Sequence, residues 1–413
     1  MPEQKQNLWR SSAVLTAASL VGAAGNYAFQ ALMGRMLPLA EFGYLNAALS
    51  LAGMIMIVVT AASQAVTHHL ARHHARDEQQ HIADLKTAST AFLFRLTLAS
   101  SLLAVVFIHP ISIFFHVPRA AIAAWVLASI LVGLWSALAT AWCAGLARFQ
   151  FLAVCSIASV AMRLATGGLG ARVWQTAEIG LLASVTSAFV LVIAVGWRER
   201  RAFSVRGNIS PLWQSDFIRF LVAALAVCAG NFAFTQSDAL IAQRSLPGDT
   251  LGAYTAAGLF GRAVVMLPLP FLTVFFTARS GQDRSDKNTV AQLAAYTAFL
   301  VIGATVVAIG REHWCRLLLG KPEPIAINLM TKFAIVMIPV GLLQAVSSYL
   351  LAARKFAPCL AYGICALIYG AALTHFGRDA RQLLAIIGTG ATATLITVVT
   401  VGAGIRRRNI PGT

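Results

Sequence analysis

From Ser12 to Ile405 the chain alternates apolar runs of spanning length with short polar breaks. A helix needs about 20 apolar residues to cross the roughly 30 Å of bilayer hydrocarbon, and the runs reach that length repeatedly. The first set lies at Ser12–Gly34, Gly43–Thr67, Thr87–Ile108, Ala120–Ala144, Phe149–Gly170 and Thr176–Trp197. A polar linker, Arg198–Asp216, follows. The second set lies at Phe217–Ala242, Thr250–Ala278, Val290–Gly310, Ile325–Leu351, Phe356–Phe376 and Gln382–Ile405. Open sheets cannot span lipid, because their edge N–H and C=O groups would have no partner there. The pattern therefore predicts an all-α polytopic membrane protein of about 12 transmembrane helices.

Composition sharpens this reading. Of 413 residues, 58% are hydrophobic and only 11% charged, against about 25% charged in soluble domains. No polar break exceeds about 25 residues, too short for an extramembrane domain that folds alone, so activity is expected within the helix bundle. The first run is too long for a signal-peptide core and reads as a retained helix. The six cysteines are scattered, form no close pair and predict neither a disulfide framework nor a metal site.

The net charge of +17 would suggest nucleic acid in a soluble protein. Here most of the Lys and Arg sit in short loops between apolar runs, a membrane-topology signal, and no nucleic-acid partner is expected. Alternate loops, starting with the N-terminus, hold 18 of them, including the Arg406–Arg408 cluster, and the other loops hold 9. The bias places both termini in the cytoplasm and requires an even number of spans. Trp9, Trp174, Trp197, Trp213 and Trp314 fall near predicted span ends, where the interface favours indole.

An internal repeat divides the chain. Gly25-Asn26-Tyr27-Ala28-Phe29 recurs as Gly230-Asn231-Phe232-Ala233-Phe234, at an offset of 205 residues. Gly43-Tyr44-Leu45-Asn46-Ala47-Ala48 aligns with Ala253-Tyr254-Thr255-Ala256-Ala257 at an offset of 210. Each half would carry an even set of spans, so the halves share one orientation. The expected organisation is an N-terminal six-helix bundle over 1–197, a cytoplasmic linker over 198–216 and a C-terminal six-helix bundle over 217–413. Such halves suit alternating access.

The segment from Asp238 to Arg262 resembles the seventh-to-eighth helix region of polysaccharide-biosynthesis and oligosaccharide flippases, O-antigen flippases among them. These belong to the multidrug/oligosaccharidyl-lipid/polysaccharide exporter superfamily. Asp238, Gly252, Tyr254 and Arg262 match the family's pattern of a helix aspartate, an outer loop, Gly-x-Tyr and an arginine. The outer turn Gly34-Arg35-Met36-Leu37-Pro38-Leu39-Ala40-Glu41-Phe42-Gly43-Tyr44 is similar too. The resemblance covers about 8–75 and 215–280. It implies a V-shaped two-bundle transporter with a central cavity between the first, second, seventh and eighth helices. It also implies a lipid-diphosphate-linked glycan as substrate. The chain departs from relatives of the lipid II flippase type in two ways: no Lys or Arg lies between Ser12 and Gly34, and the predicted spans number twelve rather than fourteen.

Ionisable residues inside spans are costly and point to function or to a partner. Arg262 is a candidate for the substrate diphosphate, since Arg holds phosphate oxygens bidentately; an ion pair with Asp238 is the structural alternative. Asp238 is the candidate coupling or gating carboxylate, with a fixed partnership to Arg262 or Arg244 as its alternative. Arg163 is a second candidate cavity cation, unless it snorkels to an interface. Asn26, Asn231 and Tyr254 complete the candidate cavity residues, although buried amides more often tie helices together. Pro268, Pro270 and Pro339 predict kinks. The stretch His68–His74 reads as a basic cytoplasmic loop, with His69 and His73 spaced for zinc but no completing ligand.

No Walker motif, triad order or loop carboxylate pair is present, so neither direct ATP drive nor an enzyme is expected, and no cofactor. The sequence supports a flippase for lipid-linked oligosaccharide in a bacterial inner membrane, working with membrane lipids, H+ or Na+, and other polysaccharide-assembly proteins. The alternative is an ion-coupled drug or metabolite antiporter of the same superfamily. A membrane polymerase or ligase is disfavoured by the short outer loops.

Overall fold

The computed structural model describes residues 21–114, 120–200, 209–266, 268, 286–320 and 322–408. By its contacts the chain divides into two compact units, Met1–Val222 and Ala223–Thr413.

In the first unit, α1 covers 21–36 and is followed by α2 (Leu39–Ala75), α3 (Gln79–Phe114), α4 (Ala120–Gly145), α5 (Phe149–Val173) and α6 (Ala177–Arg198). A 3-10 turn at Ser210–Trp213 leads into α7 (Ser215–Ser245), which runs from the first unit into the second. The second unit continues with α8 (Gly248–Met266), α9 (Asp286–Ile309), α10 (Arg311–Leu319), α11 (Pro324–Ala352), α12 (Phe356–Phe376) and α13 (Ala380–Arg408). Among the described residues, eight helices are long and apolar enough to cross a membrane, or nine if the bent pair α9–α10 is one span. The predicted runs 12–34 and 250–278 extend outside the described residues, as do Pro270 and the tail of the predicted eighth span.

Hydropathy located the helices but not their ends. The stretch His68–His74, expected as a loop, forms the last two turns of α2. No Gly or Pro interrupts it, and Leu70 and His69 are buried there, so the helix gains packing by running past the hydrocarbon. Helix α10 was not anticipated either. It turns 75° away from α9, carries Glu312 in its first turn and Arg316 in its last, and buries Cys315 and Leu318. This suits a helix that lies along an interface rather than one that crosses it. Pro339 sits inside α11, where its missing N–H removes one helix hydrogen bond.

Packing follows the same order in both units. In the first, α2 packs on α4, α4 on α6 and α6 on α5. In the second, α8 packs on α11, α11 on α13 and α13 on α12. The cores are apolar, with Phe29, Met33, Leu45 and Trp142 buried in the first unit and Phe234, Phe333, Met337 and Tyr362 in the second.

Candidate functional site

Two polar clusters lie inside the helices, one in each unit. In the second unit, α7 presents Asn231 and Asp238 two turns apart. Asp238 is fully buried, and three hydrogen bonds reach its carboxylate. Arg262 Nη2, from α8, donates to Oδ1 at 2.9 Å and to Oδ2 at 2.8 Å. Tyr254, also from α8, donates its hydroxyl to Oδ2 at 2.9 Å. The Arg262 side chain is 10% exposed and that of Asp238 0%, so the pair is desolvated. Phe333 of α11 packs edge-on against Tyr254, with centroids 4.9 Å apart. Without a partner, a carboxylate at this depth would carry the full cost of lost hydration; the guanidinium and the phenol offset it. Asn231 does not join this group. Its side-chain oxygen accepts from Tyr362 Oη of α12 at 3.0 Å.

In the first unit, Arg163 projects from the middle of α5. Its Nη1 donates to Asn26 Oδ1 of α1 at 2.6 Å and its Nη2 to Ser184 Oγ of α6 at 3.0 Å. Its Cζ lies 4.2 Å from the centroid of the Phe29 ring. Such a cation over a ring face is attracted by the ring quadrupole. Arg163 thus ties three helices together and does not snorkel.

Of the six residues the sequence singles out, Arg163 and Asn26 meet in one cluster and Asp238, Tyr254 and Arg262 in the other, while Asn231 joins neither. Sequence reasoning passed over Ser184, an ordinary helix serine until the fold sets it beside Arg163. Three further polar contacts were also missed. Glu41 Oε2 accepts the Ala177 backbone N–H at 2.8 Å, which places a carboxylate at the N-terminus of α6, where the helix dipole favours it. Glu199, just past α6, pairs with Lys86 Nζ at 2.8 Å and with Arg148. His73 Nδ1 meets Glu78 Oε2 at 2.5 Å; this hydrogen bond holds the Glu78 carboxyl below its ordinary range. Each pairs residues distant in sequence or set on the two sides of a turn. Among the described residues, no group of three His, Cys, Asp or Glu side chains is placed to hold a metal ion.

Comparison with known proteins decides the family. A family model described as "Polysaccharide biosynthesis protein" matches residues 8–278, more than half of the chain. The chain belongs to the polysaccharide biosynthesis protein family. All the charged residues of both clusters, Arg163, Asp238 and Arg262, fall in the matched stretch. No curated protein matches the sequence.

Solved structures show the fold this family member adopts. One is a multidrug resistance MATE family transporter of the MOP superfamily in an inward-facing conformation, at a TM-score of 0.69 and 8% identity, covering 96% of this chain and 99% of that one. Another is the lipid II flippase MurJ in an inward closed conformation, at a TM-score of 0.68 and 11% identity, covering 95% of this chain and 87% of that one. A third is a MOP superfamily transporter from Pyrococcus furiosus, its binding pocket described as of reverse polarity, at 0.61 and 10% identity, covering 98% and 96%. This member of the polysaccharide biosynthesis family therefore has the helical fold of MOP superfamily transporters.

Proposed function

We propose that this protein is a flippase that carries a lipid-linked oligosaccharide or polysaccharide precursor, of the O-antigen or exopolysaccharide kind, across a bacterial inner membrane. In this reading twelve spans form two six-helix bundles, 1–197 and 217–413, joined by the cytoplasmic linker 198–216, with both termini in the cytoplasm. The bundles work by alternating access, and the sugar-diphosphate head crosses in a polar path while the lipid tail stays in the bilayer.

The observation that carries the reading is the sign of the charge held inside the helices of this family member. Arg262 is balanced by Asp238, whereas the partners of Arg163 among the described residues are all neutral. The surplus is cationic, which favours anionic cargo such as a diphosphate. Asp238 is the gating or coupling carboxylate: an incoming anion, H+ or Na+ would compete within its pair with Arg262 and free that guanidinium for cargo. Asn26 positions Arg163 and Tyr254 positions Asp238, while Asn231 braces α7 against α12 through Tyr362.

An ion-coupled drug or metabolite antiporter is the second reading, favoured by the multidrug resistance transporters among the structural neighbours. The two are separated by complementation of a bacterial strain that lacks an oligosaccharide-lipid flippase. Wild type is expected to restore surface glycan, and Arg262→Ala, at matched protein level, to lose most of that restoration. Failure of wild type across several glycan systems, together with ion-dependent drug efflux, would establish the antiporter instead.

A further inference from the structure

The Gly-Asn-aromatic-Ala-Phe stretch occurs once in each unit, and each copy builds the same frame. The asparagine oxygen accepts from the helix packed against it: Asn26 from Arg163 of α5 at 2.6 Å, and Asn231 from Tyr362 of α12 at 3.0 Å. The glycine just before it lets that helix approach. A Cβ on Gly25 would overlap the Val160 side chain, and one on Gly230 would lie 2.5 Å from the Tyr362 ring. The phenylalanine three positions on faces the donor: Phe29 lies 4.2 Å from Arg163 Cζ, and Phe234 stacks with Tyr362 at 6.1 Å. The two frames differ in the chemistry of the donor. In the second unit the donor is a neutral, fully buried phenol; in the first it is a guanidinium.

That guanidinium is poised for an anion. It offers five N–H donors and can accept none. Two reach the neutral oxygens of Asn26 and Ser184, and the buried Nε–H has no hydrogen-bond partner among the described residues. Arg163 stands ten residues before Val173, the end of α5, or about 15 Å along the helix axis. It is bonded sideways to α1 and α6, so its charge is not delivered to the membrane surface. Among the described residues no carboxylate faces this charge, a costly state at this depth, and an arriving oxyanion would relieve that cost by meeting the unpartnered Nε–H. Asn26 is exposed on α1, which leaves a way in.

We propose that Arg163, with Asn26, Ser184 and Phe29, forms a phosphate-oxyanion site, and that the Asn231–Tyr362 frame is its neutral structural counterpart. The Nε–H and an adjoining Nη–H would grip two oxygens of one phosphate, as Arg does elsewhere. The phosphate belongs either to the diphosphate of a lipid-linked glycan, which rests on the flippase reading, or to a bilayer phospholipid.

The test is equilibrium binding of farnesyl diphosphate, farnesol and phosphatidylglycerol to the purified full chain in detergent. Wild type is expected to bind farnesyl diphosphate in preference to farnesol. Arg163→Gln should weaken the diphosphate at least about tenfold, the loss of a charge-assisted pair of hydrogen bonds, and leave farnesol unchanged. Tyr362→Phe should leave diphosphate affinity at the wild-type value. If Arg163→Gln folds poorly, Arg163→Lys carries the test: it keeps the charge but not the fork, and should also bind the diphosphate more weakly than wild type. Phosphatidylglycerol that displaces the diphosphate in an Arg163-dependent way assigns the site to phospholipid; failure to displace it assigns the site to cargo. Equal diphosphate affinity in wild type and a folded Arg163 variant overturns the oxyanion site and leaves the flippase reading to complementation. Arg163-dependent binding without complementation would instead leave the site standing and count against the flippase.

Discussion

Asp238→Asn is expected to destabilise the protein by about 3–5 kcal/mol, the usual cost of removing one member of a buried ion pair. Asp238 is 0% exposed and the Arg262 side chain 10%, so little water is available to rehydrate the guanidinium left behind. An amide keeps one acceptor oxygen for Arg262 or Tyr254 but gives up the negative charge that both use. The effect should appear as a large fall in the midpoint of thermal unfolding in detergent. The double variant Asp238→Asn/Arg262→Met removes the stranded charge and should recover most of the loss, because replacing both members of a buried pair with uncharged groups is often close to neutral. Should the double variant be no more stable than the single one, the pair is not what holds α7 to α8.

The second large effect is expected at Glu199. One carboxylate serves two cations: Lys86 Nζ at 2.8 Å, with side chains 10% and 13% exposed, and Arg148, 34% exposed. Glu199→Gln leaves Lys86 charged, buried and beside a second cation. The Lys86 ammonium also lies 5.7 Å from the Trp142 ring centroid, a contact that cannot replace a carboxylate. A loss of about 3 kcal/mol is expected, the low end for buried pairs because solvent screens the Arg148 share. Thermal unfolding of Glu199→Gln beside Lys86→Met/Glu199→Gln checks it. The double variant should regain much of the stability. A single variant within about 1 kcal/mol of wild type would put the cluster among ordinary surface pairs.

These clusters show what a one-dimensional reading captures. Apolar runs of spanning length predicted the helices, since lipid leaves few other structures open to such a sequence. The Gly-Asn-x-x-Phe repeat was visible because glycine, amide and aromatic recur at fixed spacing, and the packing order of the two units agrees with it. Asp238 and Arg262 stood out as ions inside apolar runs, and their separation of 24 residues, across the short connection between two neighbouring helices, made a pair easy to anticipate.

Features that depend on three-dimensional approach were hidden. Ser184 and Asn26 meet Arg163 from helices 21 and 137 residues away in sequence. Glu199 reads as part of a basic linker until α3 and the turn before α5 bring Lys86 and Arg148 to it. The end of α2 was misplaced because hydropathy falls at His68 while helical packing continues through Leu70. The bend before α10 was missed because one glycine, Gly310, between an apolar run and a polar stretch reads equally well as the start of a loop.

Movement of lipid-linked glycan is the property on which the flippase reading stands, and transbilayer transport by the purified protein tests it most directly. Proteoliposomes holding wild type and a defined oligosaccharide-diphosphate lipid, labelled on the sugar, would be sampled for label that becomes accessible from the opposite leaflet. A flippase should give movement well above that in protein-free vesicles with wild type, and close to the protein-free level with Arg163→Gln at equal incorporation. Movement no faster than in protein-free vesicles across several glycan lipids, with cation-driven drug export by the same preparation, would contradict the flippase reading.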